Sequence, residues 1–263
     1  MKKYEEYLTR KNSQIPKINI EILKKGKDIA LSEVLRFEDK NQLLKEGYLN
    51  SENGFFHFED KSAYAAVLTK MPKVSIEMID WWFWWHSKDP LRYKIWYPEM
   101  HYHSSSDFGE FYNDESKTYR ERLHLSKHFV IEDIGTGKEK LVIDFMSSEE
   151  FGFDKTKLKK ESEETIICAR VGDLRKRVWH TKMCHAVRVL EKGVEMRSRF
   201  WMANKVDRMD EFGKEIFNFI LNKSIIKKNL LPDSLGKHMF HHCTQEYNNL
   251  AEILPEIFKN EKP

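Results

Sequence analysis

The sequence predicts an α+β fold in which a curved antiparallel sheet wraps one long C-terminal helix. Three observations carry that expectation. Five strand-like segments between residues 127 and 203 are joined by short turns, the pattern of antiparallel neighbours. A long amphipathic segment follows Pro232 and runs to about Phe258. The 263 residues are 40% hydrophobic and 13% aromatic, enough to bury a core between the two layers. A sheet gripping a helix encloses a pocket, and that pocket is where chemistry is expected.

Taken in order, residues 1–70 are rich in Lys and Glu and carry turn signals at Gly26, Gly47 and Asn53-Gly54. They read as a small N-terminal lid or interaction region outside the core, with a main domain over 71–263. Pro72 suits a helix start, and Val74, Met78, Trp81, Trp82 and Trp85 fall on one helical stripe, so a buried helix is expected before Pro90. Residues 91–127 lack periodicity and include a polar loop, Ser104 to Lys117, able to cover a cavity. Strands follow at Lys127 to Ile134, Lys140 to Met146, Glu164 to Val171, Val178 to Leu190 and Gly193 to Ala203, with turns at Gly135-Thr136-Gly137 and Glu191-Lys192-Gly193. Asp210 to Leu221 reads as a helix, and the terminal helix closes the chain.

Composition excludes several classes of function. Lys plus Arg number 45 against 42 acidic residues, which leaves no basic excess for nucleic acid. The basic run from Lys157 to Lys160 meets the acidic run Glu161 to Glu164 directly, and both read as solvated loop. Cys168, Cys184 and Cys243 are odd in number and lack CxxC spacing, so a reducing compartment fits better than a disulfide framework. The start of the chain, Met1-Lys2-Lys3, opens no signal-peptide core, and Trp81 to Trp85 is too short to span a bilayer. A soluble cytoplasmic protein is expected. P-loop, dinucleotide and GxSxG motifs are absent from the sequence.

The residues with chemistry lie in three places. On the terminal helix, His238, His242 and Glu246 recur every four residues and share a face, where an HxxxE pair supplies two metal ligands. In Phe129-Val130-Ile131-Glu132-Asp133-Ile134, alternation puts Glu132 on one face and Asp133 on the other, and whichever acid points inward needs a partner. His101 and His103 share a face in an extended segment, a common ligand spacing. Imidazoles with carboxylates suit zinc, manganese or iron.

Four ordered blocks then become recognisable: Trp81-Trp82-Phe83-Trp84-Trp85-His86; Asp89-Pro90-Leu91-Arg92-Tyr93-Lys94-Ile95-Trp96 with Pro98-Glu99-Met100-His101; Val130-Ile131-Glu132-Asp133-Ile134-Gly135; and His242 with Glu246. Together they resemble the diacetylphloroglucinol hydrolase and phloretin hydrolase family over about residues 70 to 250. The resemblance implies a helix-grip catalytic domain like the birch-pollen allergen, an N-terminal region involved in homodimer formation, and a zinc-dependent hydrolase of carbon–carbon bonds. It carries zinc ligation onto His101, Glu132, His242 and Glu246, makes Tyr93 a substrate contact and leaves His86 as a second candidate acid. At the family's substrate-binding Asn and second Tyr, this chain has Ser104 and Trp201, which puts diacetylphloroglucinol in doubt and favours phloretin at least equally.

What the resemblance implies is a retro-Claisen hydrolysis of an aryl ketone, with no nucleic-acid or membrane partner. His103, His128, His180, His185, His238 and His241 are expected to be structural or to support the ligands rather than to be ligands themselves. The alternatives are a non-catalytic carrier of an apolar aromatic ligand, which holds no tight metal, and a metal-dependent oxygenase, which needs iron and dioxygen.

Overall fold

The computed structural model describes residues 4–160 and 163–262, so Met1 to Lys3, and Glu161 and Ser162 of the acidic run, lie outside the described residues. Among the described residues eight strands form one antiparallel sheet: β1 (Gly54–His57), β2 (Ala63–Met71), β3 (His101–Ser106), β4 (Lys127–Asp133), β5 (Lys138–Met146), β6 (Glu164–Asp173), β7 (Val178–Val189) and β8 (Val194–Arg208). The spatial order β1-β2-β8-β7-β6-β5-β4-β3 is a meander from β3 to β8, joined at the β8 edge by the N-terminal hairpin. The helices are α1 (Lys17–Lys25), α2 (Ile76–Trp85), α3 (Pro90–Lys94), α4 (Tyr119–Leu123), α5 (Lys214–Leu221), α6 (Ser224–Leu230) and α7 (Leu235–Glu261). The expected α+β architecture is present: a curved sheet grips α7, which is about 40 Å long at 1.5 Å per residue.

Alternation along each strand decides which residues meet α7. On β8, Met196, Ser198, Phe200 and Met202 face inward, whereas Glu195, Arg197, Arg199 and Trp201 face the outer side. The inner layer packs Phe55 of β1 against Phe240 of α7, with ring centroids 5.9 Å apart. Gly236 lets the first turn of α7 lie directly on the hairpin, since a Cβ there would sit 3.3 Å from the carbonyls of Phe56 and Tyr64. Leu250, Ile253 and Leu254 continue the buried stripe beyond the site.

Three expectations need correction. Residues 54–71 are core strands and not part of a separate N-terminal region: Ala63 to Val67 are fully buried because β2 pairs with β8 along its whole length. The boundary drawn at residue 70 therefore cuts through a strand. In the preceding chain Tyr4 packs on Trp85 and Asn19 donates to Thr244 of α7, while Leu35 and Leu43 join a second apolar cluster with Trp201, Phe151 and Ile166 on the outer face of the sheet. The tryptophan helix begins at Ile76, since β2 runs to Met71 and Ser75 supplies the cap by accepting from Met78 N at 3.3 Å. Nor is it a single stripe: Trp81 through Trp85 are all buried, as α2 is enclosed by α4, α7, β6 and β7. Finally, the segment after residue 100 that read as loop is edge strand β3.

Candidate metal centre

β3 and β4 deliver two side chains to one point. His101 opens β3 directly opposite Glu132 of β4, and a bulge at Tyr102 follows at once, pairing His103 with Ile131. The bulge turns His103 out to solvent while His101 is fully buried, so the two histidines do not share a face as extended geometry suggested. Strand alternation carries His128, Val130 and Glu132 inward. Asp133 faces the other way and accepts from Gly135 N at 2.7 Å and Gly137 N at 2.9 Å, capping the β4–β5 turn. That turn comes close to α7, and only glycine at 135 (φ +104°) permits it, since a Cβ would lie 2.2 Å from His238 Nδ1.

α7 brings the other two. His242 and Glu246, one turn apart, are buried on its inner face. His101 Nε2 lies 3.3 Å from His242 Nε2, 3.5 Å from Glu246 Oε2 and 4.0 Å from Glu132 Oε2, and His242 Nε2 lies 3.7 Å from Glu246 Oε2. Ligand atoms about 2.1 Å from a tetrahedral ion are about 3.4 Å apart, so the four groups bracket a site of that size. Among the described residues, His101, Glu132 and His242 form the group whose ligand atoms all lie within 4.8 Å of one another, and Glu246 Oε2 is within 3.7 Å of both histidines. His101 Nδ1 faces the Tyr93 carbonyl at 3.1 Å, which accepts only; the proton therefore sits on Nδ1 and the Nε2 lone pair faces the site.

The electrostatics fit a cation. Burial, then the charge of Glu132, holds Glu246 well above the usual carboxylate range, and burial pushes Glu132 up to about 7. Burial, with the neighbouring imidazole, holds His101 well below its ordinary value, and burial takes His242 down to about 4. Among the described residues the ion-pair partners of Glu132 and Glu246 are these two histidines, and no Lys or Arg joins them. Two buried carboxylates left without a cation are costly, and a divalent ion neutralises both while taking the imidazole lone pairs.

Tyr93, buried on α3, donates to Glu132 Oε2 and stacks on His101 with centroids 4.0 Å apart. Burial and then the Glu132 charge keep its phenol protonated, well above the ordinary value. His86 directs Nδ1 to the Trp82 carbonyl at 2.8 Å and stacks on Trp82 and Tyr93, so only Nε2 remains; burial lowers it to about 4. Tyr93, His86, Glu132, His242 and Glu246 all line one cavity of about 960 Å³ between the sheet, α7 and the α5–α6 pair.

The two residues expected to contact substrate do not line this cavity. Trp201 sits on the outer face of β8, where Nε1 donates to the Leu35 carbonyl at 2.7 Å; odd positions of that strand point away from the pocket. Ser104 is buried on the inward face opposite Val130 but outside the cavity wall. Of the histidines expected to be structural, His185 fits, with both nitrogens bonded to Ser198 Oγ and Tyr247 Oη at 2.9 Å. His128, His180 and His238 line the cavity without joining the ligand group. The missed signal for His128 was its place two and four residues before Val130 and Glu132 on the same strand face.

With this geometry in place, the comparisons decide the family. A family model described as the DAPG hydrolase PhiG domain matches residues 35–259. The chain belongs to the DAPG hydrolase family. It is 32% identical to phloretin hydrolase of Eubacterium ramulus, over 98% of this chain and 90% of that protein. It is 26% identical to 2,4-diacetylphloroglucinol hydrolase of Pseudomonas protegens, over 98% of this chain and 84% of that one. By their names, these relatives are hydrolases of phloretin and of 2,4-diacetylphloroglucinol.

Proposed function

We propose that this protein is a zinc-dependent hydrolase that cleaves the aryl–acyl carbon–carbon bond of an acylated polyphenol, of the phloretin or acylphloroglucinol type. The observation that carries the reading is the convergence of His101, Glu132, His242 and Glu246 at the wall of an aromatic-lined cavity, with the Tyr93 phenol beside them. A zinc ion held by those four residues would supply Lewis-acid polarisation of the acyl carbonyl and lower the pKa of a bound water from about 16 toward 7.

The net reaction adds water across the bond. The water oxygen joins the acyl carbon, the aryl–acyl bond breaks with its electron pair going to the ring, and the ring carbon takes a proton as the carboxylic acid leaves. Tyr93 keeps its proton at Oη and is the donor to a ring oxygen or ring carbon; His86 Nε2 accepts, holding a ring hydroxyl. Trp96 and Leu141, buried in the cavity wall, give the ring apolar surface and exclude water from the departing carbon. His101, Glu132, His242 and Glu246 would hold the ion, one protein group more than the three usual in an open catalytic site.

The reading places the enzyme in the cytoplasm as a homodimer, with the segment before β1 involved in the contact. No helix among the described residues is long and apolar enough to cross a membrane. Phe212, Ile216, Phe219 and Ile225 of the α5–α6 region are exposed together, more apolar surface than a solvated cap needs. Metal content by mass spectrometry, alongside phloretin and acylphloroglucinol turnover, tests the reading. About one zinc per chain, lost in His242→Ala together with activity, supports it. Folded, metal-free wild type with no zinc affinity refutes it and leaves a carrier.

A further inference from the structure

His128 is fully buried in the cavity wall, yet neither ring nitrogen has a hydrogen-bond partner among the described residues. A histidine that merely packs in a core is satisfied, as His185 is on the same sheet. The surroundings of His128 are aromatic: its ring lies 4.6 Å from Phe145 and 5.2 Å from His86, edge-on at 83°. Leaving both nitrogens of a buried imidazole unpaired is unfavourable, and a ligand's hydrogen bond removes that cost.

Position along the strand says which part of a ligand reaches it. His128 and Glu132 share the inward face of β4 and are four residues apart, about 13 Å at 3.3 Å per residue. Hydroxyls ortho to a carbonyl held at the metal ligands are too close to that carbonyl to span this distance. A second ring at the end of the acyl chain does span it. The wall near His128 is closed by the buried rings of Phe83, Phe145 and Phe200, whereas the opposite opening carries exposed Thr136 and Lys176. The far pocket therefore fits an aryl group with one polar edge.

We infer that His128 is the specificity residue that recognises a phenolic hydroxyl on the terminal ring of a substrate's acyl chain. This deepens the hydrolase reading and rests on it. A neutral imidazole both donates and accepts, which suits a phenol and leaves an analogue lacking that hydroxyl facing unpaired nitrogens.

The test compares phloretin with its analogue lacking only the terminal-ring hydroxyl, in zinc-loaded wild type, His128→Phe and His128→Gln. Wild type is expected to prefer phloretin by about tenfold or more in kcat/KM. His128→Phe abolishes the preference by raising KM for phloretin, with zinc content unchanged, and His128→Gln restores part of it. A preference absent from wild type, or undiminished in His128→Phe, overturns the inference. A second measurement needs no turnover: calorimetry with 3-(4-hydroxyphenyl)propionate and 3-phenylpropionate. Tighter binding of the hydroxylated acid in wild type, lost in either variant that folds, supports the assignment even if hydrolysis fails. Equal affinities in wild type and variant overturn it even if hydrolysis is confirmed.

Discussion

The two faces of the sheet each bury a cluster of ionised side chains, and they are built on opposite principles. On the outer face Glu52 is gripped by Arg197, with Nη2 to Oε1 at 2.6 Å, and by Arg199, while Arg197 also donates to the Leu43 carbonyl at 2.9 Å. Burial pushes the Glu52 carboxyl up, but the Arg197 hydrogen bond and the charges of Arg199 and Arg197 outweigh it, and the net shift is downward. On the inner face Glu246 is as deeply buried and has no arginine, and its shift is strongly upward. The same residue type under the same burial moves in opposite directions because one cluster contains its own cations. A cluster that is complete holds structure together; one that lacks its cation is a receptacle for an ion from solution.

The sharpest way to break that contrast is to remove one member from each side. His242→Ala is expected to lose zinc and to lower kcat/KM by about a thousandfold or more, with the fold retained by circular dichroism; retained activity would separate the cluster from catalysis. Glu52→Ala is expected to do the reverse. Leaving Arg197 and Arg199 buried and unpaired costs about 3–5 kcal/mol of stability, read as a lower denaturation midpoint, while activity of the folded fraction stays near wild type. Chelation should affect the inner cluster alone. Removing zinc lowers the melting temperature by an amount set by mass action, about 4 kcal/mol at free metal a thousand times Kd, and the Glu52→Ala variant shows the same decrement.

Acid and base should also distinguish the clusters. In the metal-free protein Glu132 titrates near 7 when folded against 4.5 as its ordinary value, so the folded state binds more protons between those values and stability falls as pH rises from about 4.5 to 7. For Glu52 the folded value is depressed. Its contribution is present above the ordinary value of 4.5 and is lost as pH falls through the folded value. Urea midpoints of the chelated protein across pH 3–8, with Glu132→Gln and Glu52→Gln as controls, check both signs. The smallest effect expected is from Trp201→Phe: it loses the bond to the Leu35 carbonyl, about 1 kcal/mol, without a change in KM. A large KM increase there would return Trp201 to the substrate site.

Much of this molecule was legible from residue order. The strand meander, its hairpin turns and the terminal helix follow from period-2 and period-3.6 apolar patterns, which are local properties of the chain. The ligand types were legible too, since His242 and Glu246 sit one helical turn apart and Glu132 alternates with Val130. What failed, failed for tertiary reasons. β1 and β2 hid in a Lys/Glu-rich region because β2 pairs with β8, more than 120 residues away, and β1 adds to the edge of β2. The β3 bulge that separates His101 from His103 has no glycine or proline to announce it.

The sequence by itself determined which side chains share a face within each element, and so that Glu132 stands with Val130 and His242 with Glu246. It left open which face of each strand is the inner one, because both faces of β4 and β8 carry a mixture of apolar and charged groups. Only the tertiary structure decided that, by laying α7 on one side and residues 28–58 on the other. That choice placed His128 and Glu132 inside, Trp201 and Arg199 outside, and brought two elements more than a hundred residues apart to within 3.3 Å at His101 and His242. Side-chain period is a property of the backbone; which side is buried is a property of what packs against it.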